Sequence, residues 1–560
     1  MRVNYIFEVI LFLILLSNIY AGTNDEIKKV YINLPFEMPG IENPVFRADT
    51  VSIVDFGAVG NGFIKNTNAI NKAIKTCADK GGGTVIIPAG MWLTGPIKLQ
   101  NNVNLHLENQ ALLQFSSDFE DYPLIYNTWE GLPAVRCIAP ISGFDLKNIA
   151  ITGVGIIDGA GDAWRPVKKF KMTDNQWAEL IKSGGVVDKK NKIWWPSEQA
   201  MNGAELISQL VQEDSVNIEK YKEAREYLRP VLINLVRCKN ILLDGPTFQN
   251  SPAWNIHPLL CEDLIVSNVI VRNPWYSQNG DGIDIESCKN VILYNSSFDV
   301  GDDAICIKSG KNEAGRKRGI PSENIIIDNC IVYHGHGGFT IGSEMSGGVR
   351  NISVSNCTFL GTDVGLRFKS TRGRGGIVEK IYITNIYMKN IPKEAIRFNM
   401  FYDYSAPIPE DDSESLSPYL KRDEVPVNDG TPIFRNIEIK NIYCKGAEKA
   451  VLLLGLPEMA ISNVKLNNIN ISSERGLVAV DADGLKINEV KLNVESGPAY
   501  SFIQTRNLIL DNIILSEGNQ PQISFNGSKT ANIRINLKAE DHKKMVQLGE
   551  DVQSGEVKID

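Results

Sequence analysis

Apolar and polar positions alternate in short runs along this chain, and the runs come in copies. The unit reads polar–Asn–apolar–x–apolar–x–Asn. It occurs as Lys239-Asn240-Ile241-Leu242-Leu243, Lys289-Asn290-Val291-Ile292-Leu293-Tyr294-Asn295, Glu323-Asn324-Ile325-Ile326-Ile327-Asp328-Asn329, Arg350-Asn351-Ile352-Ser353-Val354-Ser355-Asn356 and Arg435-Asn436-Ile437-Glu438-Ile439-Lys440-Asn441. Shorter copies surround Asn148, Asn463, Asn507 and Asn532. Alternation of this kind marks a strand with one buried face. Asn at both ends suits sharp corners, because it tolerates left-handed backbone and hydrogen-bonds locally. A period of roughly 25 residues with several short strands predicts an all-β fold, a parallel β-helix. Leucine-rich repeats would need a Leu-x-x-Leu-x-Leu consensus, which is missing. A β-sandwich would not repeat so regularly.

Departures from the pattern place the other elements. Residues 22–48 form a lead-in rich in Pro and Asn, and residues 49–560 the β-helix. A helical pattern from Thr67 to Ala78, followed by the strand-like run Thr84-Val85-Ile86-Ile87, predicts an N-terminal cap over the first coil. The Gly-rich segments there lack the Lys-Ser/Thr of a phosphate loop. Residues 160–230 break the repeat as a charged, helix-like insertion containing Trp164, Trp177, Trp194 and Trp195. It reads either as a loop excursion packed down by its tryptophans or as a wall over a cleft, since such excursions often line the binding face. Glu219 to Leu228 reads as a surface helix. A second excursion, 401–430, is acidic and Pro-rich.

Composition narrows the partners. With 560 residues, 58 basic and 66 acidic side chains and a net charge of −8, nucleic acid is not expected as a partner. An anionic substrate would need a local cationic patch against the global field. Residues 1–21 read as a signal peptide: Arg2, an apolar run from Val9 to Leu16, and small Ala21. That run is short for a membrane span, so the mature chain is expected to be exported, to periplasm or medium, with no membrane partner and as a monomer. Nine cysteines without a Cys-x-x-Cys pair are expected to be mostly free, buried thiols.

Four polar signatures then stand out: Asn279-Gly280-Asp281, Gly301-Asp302-Asp303, Gly335-His336-Gly337 and Arg367-Phe368-Lys369. From Asp281 they step by 21, 34 and 31 residues to Asp302, His336 and Arg367. On a solenoid such steps stack into one patch, with coils about 4.8 Å apart. Three carboxylates so close cannot all ionise freely, so at least one pKa must rise. An acid that keeps its proton beside ionised bases suits glycoside hydrolysis. The same cluster could bind calcium. Arg367 and Lys369 alternate around Phe368, so both point to one face, either as an ion-pair network or as a clamp for a substrate carboxylate. His336 between glycines is a turn residue, or a site where substrate approaches the backbone closely.

These motifs resemble those of the polygalacturonase family of glycoside hydrolases, whose pattern is Asn-Thr-Asp, Gly-Asp-Asp, Gly-His-Gly and Arg-Ile-Lys in this order. The similarity extends from about residue 50 to 510 and includes Asn250-Ser251-Pro252-Ala253-Trp254-Asn255-Ile256-His257-Pro258. It implies a right-handed parallel β-helix and a pectin-degrading hydrolase that acts on α-linked galacturonate with inversion and without metal or cofactor. Asp302 would be the general acid, and Asp281 and Asp303 would activate water. His336 would maintain protonation states. Arg367 and Lys369, with Asn279 and His257, would bind substrate. Neighbouring coils imply a short carboxylate separation, which the general distance rule assigns to retaining enzymes. The insertion and the loop Lys308 to Pro321 resemble exo-acting bacterial members. Endo cleavage, a rhamnogalacturonan-directed hydrolase, a calcium-dependent pectate lyase and a non-enzymatic glycan-binding β-helix are the alternatives.

Overall fold

The computed structural model describes residues 28–213, 217–402, 422–515, 522–536 and 545–559. The expected signal peptide and most of the 401–430 excursion lie outside the described residues. No helix among the described residues is long and apolar enough to cross a membrane.

The repeat closes into coils of parallel strands. One apolar position aligns from coil to coil as Ile241, Leu264, Val291, Ile325, Ile352, Ile381, Ile437 and Val464. A second set of strands follows each of these, and a third returns the chain to the next coil, giving three parallel sheets around one core. Parallel crossovers within one sheet favour the right-handed coil.

The corner asparagines behave as their chemistry requires. Asn102, Asn148, Asn240, Asn290, Asn324 and Asn351 all take positive φ. Their amides stack: Asn148 donates to Asn102 at 3.0 Å, Asn240 to Asn148 at 2.8 Å, Asn324 to Asn290 at 3.1 Å and Asn351 to Asn324 at 3.0 Å. Inside, Phe368 stacks on Phe398 with ring centres 4.0 Å apart. The residue between the two cations of its motif is therefore a core residue, which is why Phe can stand where the related pattern has Ile.

Helix α1 (Thr67–Asp79) buries Ile70, Ala73, Ile74 and Cys77 against the first coil, as a cap. The lead-in packs Tyr31, Leu34, Met38, Ile41 and Phe46 on the outer face of the first sheet, over Leu242, Ile265, Ile292 and Ile326. All nine cysteines are unpaired and buried.

The insertion holds helices α2 (Asp174–Lys182) and α3 (Glu198–Gln212) and a three-stranded antiparallel sheet that the sequence pattern did not reveal. Trp177 and Trp194 pack with Val167, while Trp164 sits edge-on to Tyr122 at 5.3 Å. The expected surface helix at Glu219–Leu228 is corrected. Ile218–Ala224 is a 3-10 helix, and Tyr221, Ala224 and Leu228 are buried beside Trp164.

Candidate active site

The third sheet builds the site. Its strands β1 (Ile256–Leu259), β2 (Ile283–Glu286), β3 (Ile305–Lys308), β4 (Gly337–Ile341) and β5 (Val364–Lys369) lie side by side. Ile283 aligns with Ile305, Ile305 with Phe339, and Phe339 with Leu366, all facing the core. The alternate residues, including Asp284, Cys306, Thr340 and Arg367, therefore face outward. Asp281, Asp302–Asp303 and His336 sit in the turns that feed β2, β3 and β4. Those turns are bonded to each other: Gly282 N–H donates to Asp303 O at 3.0 Å and His336 N–H to Asp302 O at 2.9 Å.

The four signatures are brought together. Carboxylate oxygens of Asp281, Asp302 and Asp303 lie within 4.8 Å of one another. Asp303 is buried and bridged by two cations, with Lys369 Nζ 2.7 Å from Oδ2 and Arg367 Nη1 2.9 Å from Oδ1. Asp302 keeps 23% of its side chain exposed against 3% for Asp303, so it is the acid that reaches the groove. Its Oδ1 accepts from Asp303 N–H at 3.0 Å and pairs with His336 Nδ1 at 3.1 Å. Asp281 is buried, and its Oδ1 has no hydrogen-bond partner among the described residues.

These surroundings divide the three acids. Burial pushes Asp281 well above the usual carboxylate range, and the charges of Asp284 and Asp302 push the same way. Burial would also raise Asp302, but the His336 hydrogen bond holds it below its ordinary value. For Asp303, burial is overwhelmed by Lys369 and Arg367, which hold the carboxyl far below the usual range. These surroundings favour keeping one proton in the trio, on Asp281, over Asp302 and Asp303. Asp302 needs a proton to act as an acid, so the favoured place for it in the free protein differs from the expected one. Titration here belongs to the group rather than to one residue.

Two expectations change. His257 is no direct sugar contact. It is buried, with Nε2 3.0 Å from Glu286 Oε2 and Nδ1 3.2 Å from the Asn234 amide, and its pairing helps to hold Glu286 down at about 2 against burial. The glycines flanking His336 serve coil packing rather than substrate approach. A Cβ at Gly337 would lie 2.2 Å from Thr340 Oγ1 and 3.1 Å from Asp303 Oδ1. Asn279 is half-buried in left-handed backbone, and its Oδ1 accepts from Arg229 at 2.9 Å. That bond secures the Asp281 turn.

Sequence reasoning missed an under-layer and a visitor. Lys308 Nζ is 3.0 Å from Asp284 Oδ1 and 3.5 Å above the Trp254 ring. Burial raises Asp284 to about 6, opposed by Lys308 and His257. Lys171, from the insertion, reaches His336 Nε2 at 3.4 Å. Alternation along β2 and β3 could have suggested Asp284 and Lys308. Nothing in the sequence pairs Lys171 with His336, because they lie 165 residues apart.

A cation could be held only where these three carboxylates converge, among the described residues. Asp303 already uses both oxygens on Lys369 and Arg367, which leaves a poor ligand set for calcium, an ion that takes six to eight oxygens.

The charge pattern predicts a bell-shaped kcat/KM profile. Activity should fall as pH drops through the lowered Asp302 value, because a second proton then enters the trio. It should also fall as pH rises through the raised Asp281 value, because no acid proton then remains. Asp284→Asn removes the largest charge acting on Asp281, so the alkaline limb should move to lower pH. Initial rates across the pH range check this, and an unmoved limb would detach Asp281 from the active protonation state.

Comparison with known proteins places this geometry. The profile of Glycosyl hydrolases family 28 matches residues 214–482, and that of Rhamnogalacturonase A/epimerase, pectate lyase-like, matches 50–124. A Vitis vinifera protein described as "Probable polygalacturonase" is 27% identical over 476 residues, covering 83% of this chain and 82% of its own. The "Exo-poly-alpha-D-galacturonosidase" of Dickeya chrysanthemi is 27% identical over 481 residues, covering 82% of this chain and 74% of its own. Among solved structures, the hyperthermoactive exopolygalacturonase of Thermotoga maritima superposes with a TM-score of 0.67 at 30% identity, over 81% of this chain and 94% of that one. The acid trio, its paired cations and its histidine thus stand on a β-helix shared in sequence and shape with that enzyme, and the chain belongs to glycosyl hydrolases family 28.

Proposed function

We propose that this protein removes galacturonic acid from one end of polygalacturonate or pectin-derived oligosaccharides, with inversion at the anomeric carbon. Asp302 protonates the leaving glycosidic oxygen. Water attacks the anomeric carbon and gives a proton to Asp281, whose unclaimed Oδ1 and raised proton affinity make it the better base. Asp303, held ionised by two cations, is a weak base and instead fixes Arg367 and Lys369 in place. Half-buried Arg367 is left to meet the sugar carboxylate, while Lys369 is buried.

Exo action rests on a roof over one end of the outward face. Asn234, His257 and Asp284 all project outward yet are almost completely buried. A hairpin, Leu124–Trp129 and Leu132–Cys137, meets this end of the face at Asn234 and Trp254. Asn127 donates to Asn234 at 2.9 Å, Trp129 stacks on Trp254 at 4.8 Å, and Glu130 pairs with Lys311 at 3.2 Å. A groove blocked at one end becomes a pocket for a chain terminus. Elimination of the lyase type would need a neutral base, and burial, which would favour one, is outweighed by Asp303, which raises Lys369 and Arg367 further toward the cationic form. Export, read from residues 1–21, is part of the same proposal.

One reaction tests it. Polygalacturonate digestion should release monomer from the first minutes, and NMR should show β-galacturonate before mutarotation. A ladder of oligomers would sink the exo reading. An initial α-product would make the enzyme retaining, as the short carboxylate spacing suggests by itself.

A further inference from the structure

We propose that Lys171, carried into the site by the inserted region, is a positioning residue that fixes the tautomer of His336 and so directs the acid proton onto Oδ2 of Asp302. The inference rests on the hydrolase reading above and gives the insertion a role in the chemistry. Lys171 Nζ lies 3.4 Å from His336 Nε2, 3.2 Å from Gly301 O and 3.5 Å from Trp275 O. An ammonium has three donors and no acceptor, so these three acceptors account for it. Nε2 must then carry a lone pair, and the ring proton sits on Nδ1. Nδ1–H donates to Asp302 Oδ1, which already accepts from Asp303 N–H. With Oδ1 accepting twice, a proton on Asp302 belongs on Oδ2, the oxygen left for the leaving group.

The surrounding charges agree with this. His336 faces Asp302 through Nδ1, and Lys171 and, at 3.9 Å, Asp363 through Nε2. Lys171 is lowered by burial and by Lys168, while Asp302 and Asp363 favour its ammonium form. Without a donor at Nε2, the ring proton is free to sit there instead of on Nδ1. Asp302 then loses the Nδ1–H bond that holds it below its ordinary value, and Oδ1 competes with Oδ2 for the acid proton.

The test compares the full-length protein with Lys171→Met and Lys171→Arg, on polygalacturonate and by histidine nitrogen NMR. Five histidines keep the spectrum tractable, and His336→Gln assigns the signal. The resting protein should show His336 as the Nδ1–H tautomer. Lys171→Met should lose that signature, lower kcat by on the order of tenfold to a hundredfold with KM little changed, and shift the acidic limb of kcat to higher pH. Lys171→Arg, which also donates, should restore most of both. An Nε2–H tautomer in the unmutated protein overturns the proposal outright. A raised KM with an unmoved pH profile also overturns it, making Lys171 a substrate contact. A misfolded Lys171→Met leaves the tautomer of the unmutated protein as the deciding measurement. Absence of hydrolysis by the unmutated protein would count against the activity reading, and the NMR result would still judge Lys171.

Discussion

Asp302→Asn is expected to lower kcat on polygalacturonate by about three to four orders of magnitude, the upper part of what a positioned acid contributes. Asp302 is the trio member that reaches the groove. The amide cannot donate an acid proton, so the leaving oxygen departs unassisted. The fold should be nearly indifferent. The Oδ1 of Asn can keep the bonds from Asp303 N–H and His336 Nδ1, so stability should change by no more than about 1 kcal/mol. A galacturonide with an acidic phenol as leaving group needs less protonation, so its loss should be much smaller. That contrast separates a lost acid from a disturbed site. Near-normal turnover on polygalacturonate would remove Asp302 from the mechanism.

Lys369→Ala should damage both stability and activity. Its ammonium and Asp303 form a buried pair at 2.7 Å. Removing one partner of such a pair costs about 3–5 kcal/mol, because the other charge stays buried. Arg367 still holds Oδ1, so the loss should fall at the lower end. The effect has a pH signature. Asp303 is depressed in the folded protein, so its contribution is complete above the unfolded Asp value of about 3.9 and fades as pH falls toward the folded value. The gap in melting temperature between the two proteins should therefore be constant near neutrality and narrow below about pH 4. kcat should fall as well, since Asp303 then competes for the trio's proton. A raised KM with no change in melting temperature would show that Lys369 serves substrate alone and that the ion pair stabilises nothing.

Much of the fold was legible because its determinants are local. Alternating Ile and Val between corner asparagines specifies a strand and two turns without reference to distant residues. The positive φ at Asn148, Asn240, Asn290 and Asn324 is a property of Asn itself. The grouping of Asp281, Asp302, His336 and Arg367 was legible for a related reason. A solenoid converts a sequence step into a spatial one, so motifs one coil apart become neighbours. The role of Phe368 as a core residue between two outward cations also follows from period-two alternation.

Other features were beyond the sequence. His257 lies in a motif of the related family, and only the roof of Trp254, Trp129 and the hairpin shows that it faces Glu286 rather than solvent. The glycines around His336 suggested room for substrate, whereas the distance between stacked turns leaves room only for hydrogen. Chain order gives no register to an insertion, so the meeting of Lys171 with His336 appeared only once the helices and small sheet of residues 160–230 were docked.

By itself, then, the sequence determined the β-helix, the position of its cap and the gathering of three carboxylates, one imidazole and two cations, because each depends on a periodic backbone whose geometry is the same in every coil. The tertiary structure alone decided which of the three carboxyls favours a proton, since burial and the Lys369, Arg367 and His336 contacts set the direction of each shift. It alone decided which end of the groove is covered and that the insertion reaches the catalytic histidine, since these depend on how non-repeating segments pack against the coils.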